Sequence, residues 1–157
     1  DSDVMKKISN HYILMDNIIP WSDDLEAHSV EDSNCAYDTT TPYWFIHKDF
    51  ICNAKRVEHY LNWCGYVYIP SVHPCFNGLD DHDINVHGGI TYTAPLIFEG
   101  EDYLVVGFDC AHYDDIVPVA GFNGHHATYK NYNFVREELM NLADRLFAIQ
   151  PVIQYHG

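Results

Sequence analysis

Between Arg56 and Lys130 the sequence has no lysine and no arginine. The whole chain of 157 residues carries only 8 Lys+Arg against 23 Asp+Glu, a formal net charge of -15 with histidine neutral. A surface of that sign repels nucleic acid and anionic lipid, so direct DNA binding is not expected. No apolar run approaches the roughly 18 residues of a membrane-spanning helix, and residues 1–20 lack a basic stretch followed by an apolar core. Neither a membrane span nor a secretion signal is therefore expected, and the sequence reads as cytoplasmic. It begins at Asp1 rather than Met, as a trimmed chain would. The 5 cysteines, Cys35, Cys52, Cys64, Cys75 and Cys110, are odd in number and show no CxxC spacing, which excludes a disulfide framework and a zinc finger. Phosphate-cradling GxxxxGK[ST] and GxGxxG loops are absent as well.

What is present can build a core. The chain is 47% hydrophobic and 15% aromatic, too rich in buriable surface for a disordered acidic tail, and its length suits one domain. Val4, Ile8, Tyr12 and Met15 predict a short first helix capped by Ser2 or Asp3, and residues 20–42 read as an acidic loop. Residues 43–47 favour a strand, and 49–63 fit a helix with Phe50, Ala54, Val57 and Leu61 on one face. Runs at 66–69, 84–87, 90–92 and 103–108 predict a sheet of three or four strands. Val135, Leu139, Leu142, Leu146 and Ile149 predict the clearest helix, over 132–149, ended by Pro151. The expected fold class is α+β: a small, mainly antiparallel sheet from residues 66–108, covered by the long C-terminal helix. Residues 1–60 are expected to form an N-terminal helical or loop appendage, and 61–157 the core domain.

The interval without basic residues holds Glu58, Asp80, Asp81, Asp83, Glu99, Glu101, Asp102, Asp109, Asp114 and Asp115, together with 7 of the 11 histidines. Those carboxylates have to be solvated, bonded to backbone N–H groups, paired with imidazole or bound to a metal. Asp109 and His112 follow the apolar run 103–108, and His87 stands beside Gly88-Gly89, which permits close approach of backbone or ligand. Imidazole and carboxylate suit a divalent ion such as zinc or manganese, with His73, His87, Asp109 and His112 as the candidate ligands. Asp109, His112, His87, Asp83 and Asp115 are the candidate catalytic residues. The plainer readings are a hydrogen-bonded His87, a turn-capping Asp109 and a solvated Asp80–Asp83 turn. Cys110 with His112 or His87 as base is a weaker alternative, because a thiol at that position more often packs as a small hydrophobe.

Trp63-Cys64-Gly65-Tyr66-Val67, His73-Pro74, Val86-His87-Gly88-Gly89-Ile90-Thr91 and Gly107-Phe108-Asp109-Cys110-Ala111-His112 form a sequence pattern over residues 62–149. With its VHGG[IL]T and GFDCAH elements, this pattern resembles a family of small bacteriophage and prophage proteins. The resemblance implies a phage origin and, by association, a role against host machinery in the host cytoplasm.

Three functions are open on these residues. The first is an anti-defence or inhibitor protein whose acidic surface mimics nucleic acid and occupies a basic host protein or nucleoprotein complex. The second is a metal-dependent hydrolase of a phosphoester or nucleotide. The third is a pocket for a nucleobase or cyclic nucleotide without turnover, lined by Tyr66, Tyr68, Tyr92, Phe108 and Tyr113.

Overall fold

In a computed structural model the described residues are 42–79, 84–117 and 127–149. The expected first helix, the acidic loop before Pro42, and Asp83 all lie outside them. Five strands follow one another: β1 (Tyr43–His47), β2 (Phe50–Arg56), β3 (Trp63–Pro70), β4 (Tyr92–Phe98) and β5 (Glu101–Asp109), before a helix α1 (Tyr132–Ala148). They form one sheet in the order β1-β2-β3-β5-β4, and every neighbouring pair is antiparallel. An α+β fold with an antiparallel sheet under a C-terminal helix is what the sequence predicts.

Local chemistry explains the hairpins. Two-residue turns close β1–β2 and β4–β5, and both residues of each turn take positive φ: Lys48 (51°) and Asp49 (66°), Glu99 (52°) and Gly100 (76°). That is the twist-matched geometry of tight hairpins. The first turn also corrects the helix expected over 49–63. Phe50, Ala54 and Val57 fit a helical stripe, but the chain reverses at Lys48-Asp49 and pairs with β1 as β2, and Leu61 turns back at φ 66°. Nearly every β2 side chain is buried, so the two-residue alternation that marks a strand is hidden. The sheet therefore begins at Tyr43, and residues 43–60 of the expected appendage include two of its strands.

A second correction concerns residues 84–87, where 84–86 are irregular and the chain turns at His87-Gly88 instead of forming a strand. Gly88 and Gly89 both have positive φ, and the Gly89 N–H bonds back to the Val86 carbonyl at 2.8 Å.

One face of the sheet packs on α1. Phe45, Cys52, Trp63, Val67, Val106 and Phe108 meet Val135, Leu139, Leu142 and Leu146. Each fully buried leucine contributes about 2 kcal/mol in transfer terms. Asn131 caps the helix by accepting from the Phe134 N–H at 2.9 Å, and Arg145 lies in its last turn. Tyr66 and Tyr68 alternate with the α1-facing Val67 and so point to the opposite, outer face, where Trp44, Ile51 and Tyr103 make a smaller cluster.

Candidate functional site

The end of β5 brings together four of the five candidate catalytic residues. The central one is Asp115, whose side chain has no exposed surface. The backbone holds it first: Asp115 pairs with Thr128 in a parallel bridge, and the Ile116 N–H donates to the Thr128 carbonyl at 2.8 Å. That bridge delivers Lys130, whose Nζ lies 2.9 Å from Asp115 Oδ1 and donates to Thr128 Oγ1, Asp114 O and Thr128 O at 2.6, 3.0 and 3.2 Å. His87 Nε2 reaches the two Asp115 oxygens at 2.8 and 2.9 Å, and the His112 backbone N–H donates to Oδ2 at 2.9 Å.

Burial pushes the Asp115 pKa upward, but the bonds from the His112 N–H, His87 and Lys130 outweigh it and hold the carboxyl below its ordinary value.

From Asp115 the polar chain crosses the end of the sheet. The His87 ring packs edge-on against Phe134 of α1 at 5.0 Å and stands 5.7 Å from the His112 ring. Its backbone N–H donates to Glu138 Oε1 at 2.9 Å, fixing the turn to α1. His112 lies over Gly88, where any β-carbon would collide with the imidazole. The His87-Gly88-Gly89 turn thus accepts the side chain of another loop, one of the uses expected from its glycines. His112 Nε2 is 3.2 Å from Asp109 Oδ1, an ion-pair distance without hydrogen-bond alignment, and this buried nitrogen has no hydrogen-bond partner. Asp109 also accepts from Thr91 Oγ1 and the Ala111 N–H, both at 3.0 Å, which is the turn-capping role.

His73 does not join this group. Its Nδ1 accepts from the Cys75 N–H at 3.0 Å and its Nε2 bonds the Leu146 carbonyl at 2.7 Å, so both ring nitrogens are committed. Leu146 is twelve residues beyond Phe134 on α1, roughly 18 Å along the helix axis. The candidate ligand set His73, His87, Asp109 and His112 therefore has one member at the far end of the helix. Among the described residues, the donors that approach one another are His87, Asp114 and Asp115, within 4.8 Å. Lys130 already places an ammonium on that carboxylate.

Cys110 is 1% exposed, and burial followed by the Asp115 charge pushes its thiol well above the ordinary value. It packs as a hydrophobe, which removes the nucleophile alternative.

The five candidate pocket aromatics divide by strand alternation. Tyr66, Tyr68 and Tyr92 line one groove of about 360 Å³ on the outer face. Phe108 points the other way into the α1 core, and Tyr113 is 88% exposed. The groove also contains Asn53 and Lys55, which the sequence reading missed. Lys130 was missed too, although its place as the first cation after the basic-free interval was a visible signal. No protein-family model matches the chain, and neither does any curated protein or any solved structure.

Proposed function

We propose that the protein hydrolyses a phosphoester by general acid–base catalysis at the end of β5, with His112 and His87 as the proton-transfer groups. One observation supports this reading: two imidazoles meet with ring centroids 5.7 Å apart, each against its own carboxylate. In the proposed step a water oxygen bonds to phosphorus while His112 Nδ1, the ring nitrogen turned away from Asp109, takes a proton from that water. The bond from phosphorus to the leaving oxygen breaks, and His87, oriented by Asp115, gives that oxygen a proton. Exchange with solvent then returns both rings to their starting states. Asp109 and Asp115 act as positioning residues. If a zinc or manganese ion takes part, His87, Asp114 and Asp115 are its donors, and it has to displace the Lys130 ammonium from Asp115.

The test uses the full chain without a histidine tag, assayed near neutral pH against bis(p-nitrophenyl) phosphate and p-nitrophenyl phosphate. Each assay is run with chelator, with zinc and with manganese. Turnover should fall about 100-fold or more in both His112→Gln and His87→Gln. No turnover above the buffer rate in any condition, or undiminished turnover in either variant, refutes the reading.

A second reading is favoured by the β4–β5 turn, where Glu99, Glu101 and Asp102 are all exposed. In it the phage-type chain occupies a basic groove of a host protein or nucleoprotein complex in place of nucleic acid. Such a complex should weaken steeply as salt rises, and indifference to salt would count against it.

A further inference from the structure

We propose that the outer face of the sheet binds a nucleoside monophosphate, with the base against Tyr66 and Tyr92 and the phosphate on Lys55. This assignment deepens the hydrolase reading by naming a nucleotide as the class of phosphoester and rests on that reading for turnover.

The argument is one of register. Residues directly opposite across antiparallel strands share a face. Asn53, Tyr66, Gly107 and Tyr92 form one such row across four strands, and Lys55, Cys64 and Asp109 form the next. In the first row the Tyr66 and Tyr92 rings meet edge to face, 5.6 Å between centroids at 81°. Gly107 lies between them, and a β-carbon there would stand 2.5 Å from Tyr66 Cδ1. The missing side chain lets the Tyr66 ring lie across β5 as an aromatic floor, with the Tyr92 ring nearly perpendicular to it as a wall, a corner in which a planar base stacks on one ring and meets the edge of the other. The groove of about 360 Å³ is within the range of small-ligand sites.

The second row supplies the charge. It lies two residues along the strands, roughly 6.7 Å away, a span that a ribose bridges. Lys48 is paired with Asp144, Lys130 with Asp115, and Arg56 is buried, whereas Lys55 is exposed on the groove. Lys55 and Asp109 are separated by two strand spacings, roughly 10 Å, and His112 stands against Asp109. A phosphate therefore sits on the Lys55 ammonium at the groove's edge, away from the Asp109 carboxylate. A chain of net charge -15 discriminates against anions elsewhere on its surface.

The test is calorimetric titration of the full chain with AMP, GMP, CMP and UMP, and with adenosine as the phosphate-free control. Saturable binding is expected for at least one monophosphate. Tyr92 is 49% exposed at the start of an edge strand, so Tyr92→Leu should fold, and circular dichroism checks that it does. It should weaken AMP and adenosine alike by about tenfold, the weight of one base stack. Lys55→Gln should weaken AMP by about tenfold and leave adenosine unchanged.

The proposal is overturned if no monophosphate binds at millimolar concentration, if folded Tyr92→Leu binds like the parent, or if Lys55→Gln weakens both ligands equally. Two outcomes separate it from the hydrolase reading. AMP binding without turnover removes the hydrolase and keeps the groove. Turnover of AMP whose KM ignores both variants removes the groove and keeps the hydrolase.

Discussion

Replacing Asp115 by asparagine probes the polar chain at its centre. Asparagine keeps one carbonyl oxygen but sets an NH2 where the second carboxylate oxygen stood, so either Lys130, which meets Oδ1, or the His112 N–H, which meets Oδ2, then faces a donor. The Lys130 side chain is 11% exposed and loses its counter-charge. Breaking a buried ion pair from one side costs about 3–5 kcal/mol. Lys130 retains three other oxygens, on Asp114 and Thr128, so the lower end applies, about 3 kcal/mol or roughly 10 °C in midpoint temperature.

The pH dependence has a definite sign. A carboxyl whose folded pKa lies below its unfolded value of 3.8 contributes fully above 3.8 and loses its contribution as pH falls through the folded value. Urea unfolding followed by the fluorescence of the buried Trp44 and Trp63 measures both quantities. At neutral pH Asp115→Asn should lie about 3 kcal/mol below the parent, and the gap should narrow as the medium is acidified below 3.8. Adding Lys130→Met should recover much of the loss, since it removes the orphaned charge. A loss smaller than about 1 kcal/mol, or a gap that stays constant into acid, refutes the account of Asp115 as the ionised hub.

Three further outcomes follow from named contacts. His73→Ala leaves the Leu146 carbonyl and the Cys75 N–H without their partner, and should cost about 1–3 kcal/mol in urea unfolding. Phosphoesterase turnover and bound metal should stay at parental levels, and a fall in either with the fold intact would return His73 to the site. Pro95→Thr gives β4 an N–H on its outer edge and should produce concentration-dependent association in light scattering; a variant as monodisperse as the parent would show that the proline does not guard that edge. Cys64 has its thiol pushed up to about 11 by burial and the Asp109 charge, and Cys110 lies well above its ordinary value. Peptide mapping after iodoacetamide at about pH 8 should find both intact in native protein and alkylated in urea. Native alkylation of Cys110 would restore it as a nucleophile.

How far the fold was legible depended on burial on each face. β5 and α1 were readable because a continuous apolar run and a clean 3.6-residue stripe leave few alternatives. β2 was not, since its two faces are nearly equally buried and a spacing of four fits both Phe50–Ala54 on a strand and a helical stripe. β4 was seen only at Tyr92 because Pro95 interrupts it. In a hairpin closed by Glu99-Gly100, Phe98 and every second residue before it bond inward to β5, which leaves the nitrogens of Thr93, Pro95 and Ile97 pointing outward. A proline on the outward side of an edge strand removes no ladder bond, so the sequence signal against a strand was also a signal for an edge.

The charge pattern was legible in outline and misleading in detail. An interval free of cations does not need a counterpart outside the chain if its flanking cations fold back, and here both do. Arg56 is buried on Trp63, 4.9 Å from the ring, and donates to Tyr129 OH at 2.8 Å; Lys130 returns across the Asp115–Thr128 bridge to neutralise Asp115. Glu58, Asp102 and Asp114 are exposed to solvent, and Asp109 is met by a hydroxyl and an amide. Of the interval's described carboxylates, Asp115 is the one buried, and it is the one that draws a cation. Two of the interval's histidines keep that carboxylate company. His87 and His112 lie twenty-five residues apart and meet because a double-glycine turn can accept an imidazole where no other residue leaves room. Gly88→Ala is therefore the sharpest probe of the site as a unit: it should displace His112 and abolish turnover while AMP still quenches on the tyrosine floor. Loss of binding together with turnover would mean that groove and histidines are not separable.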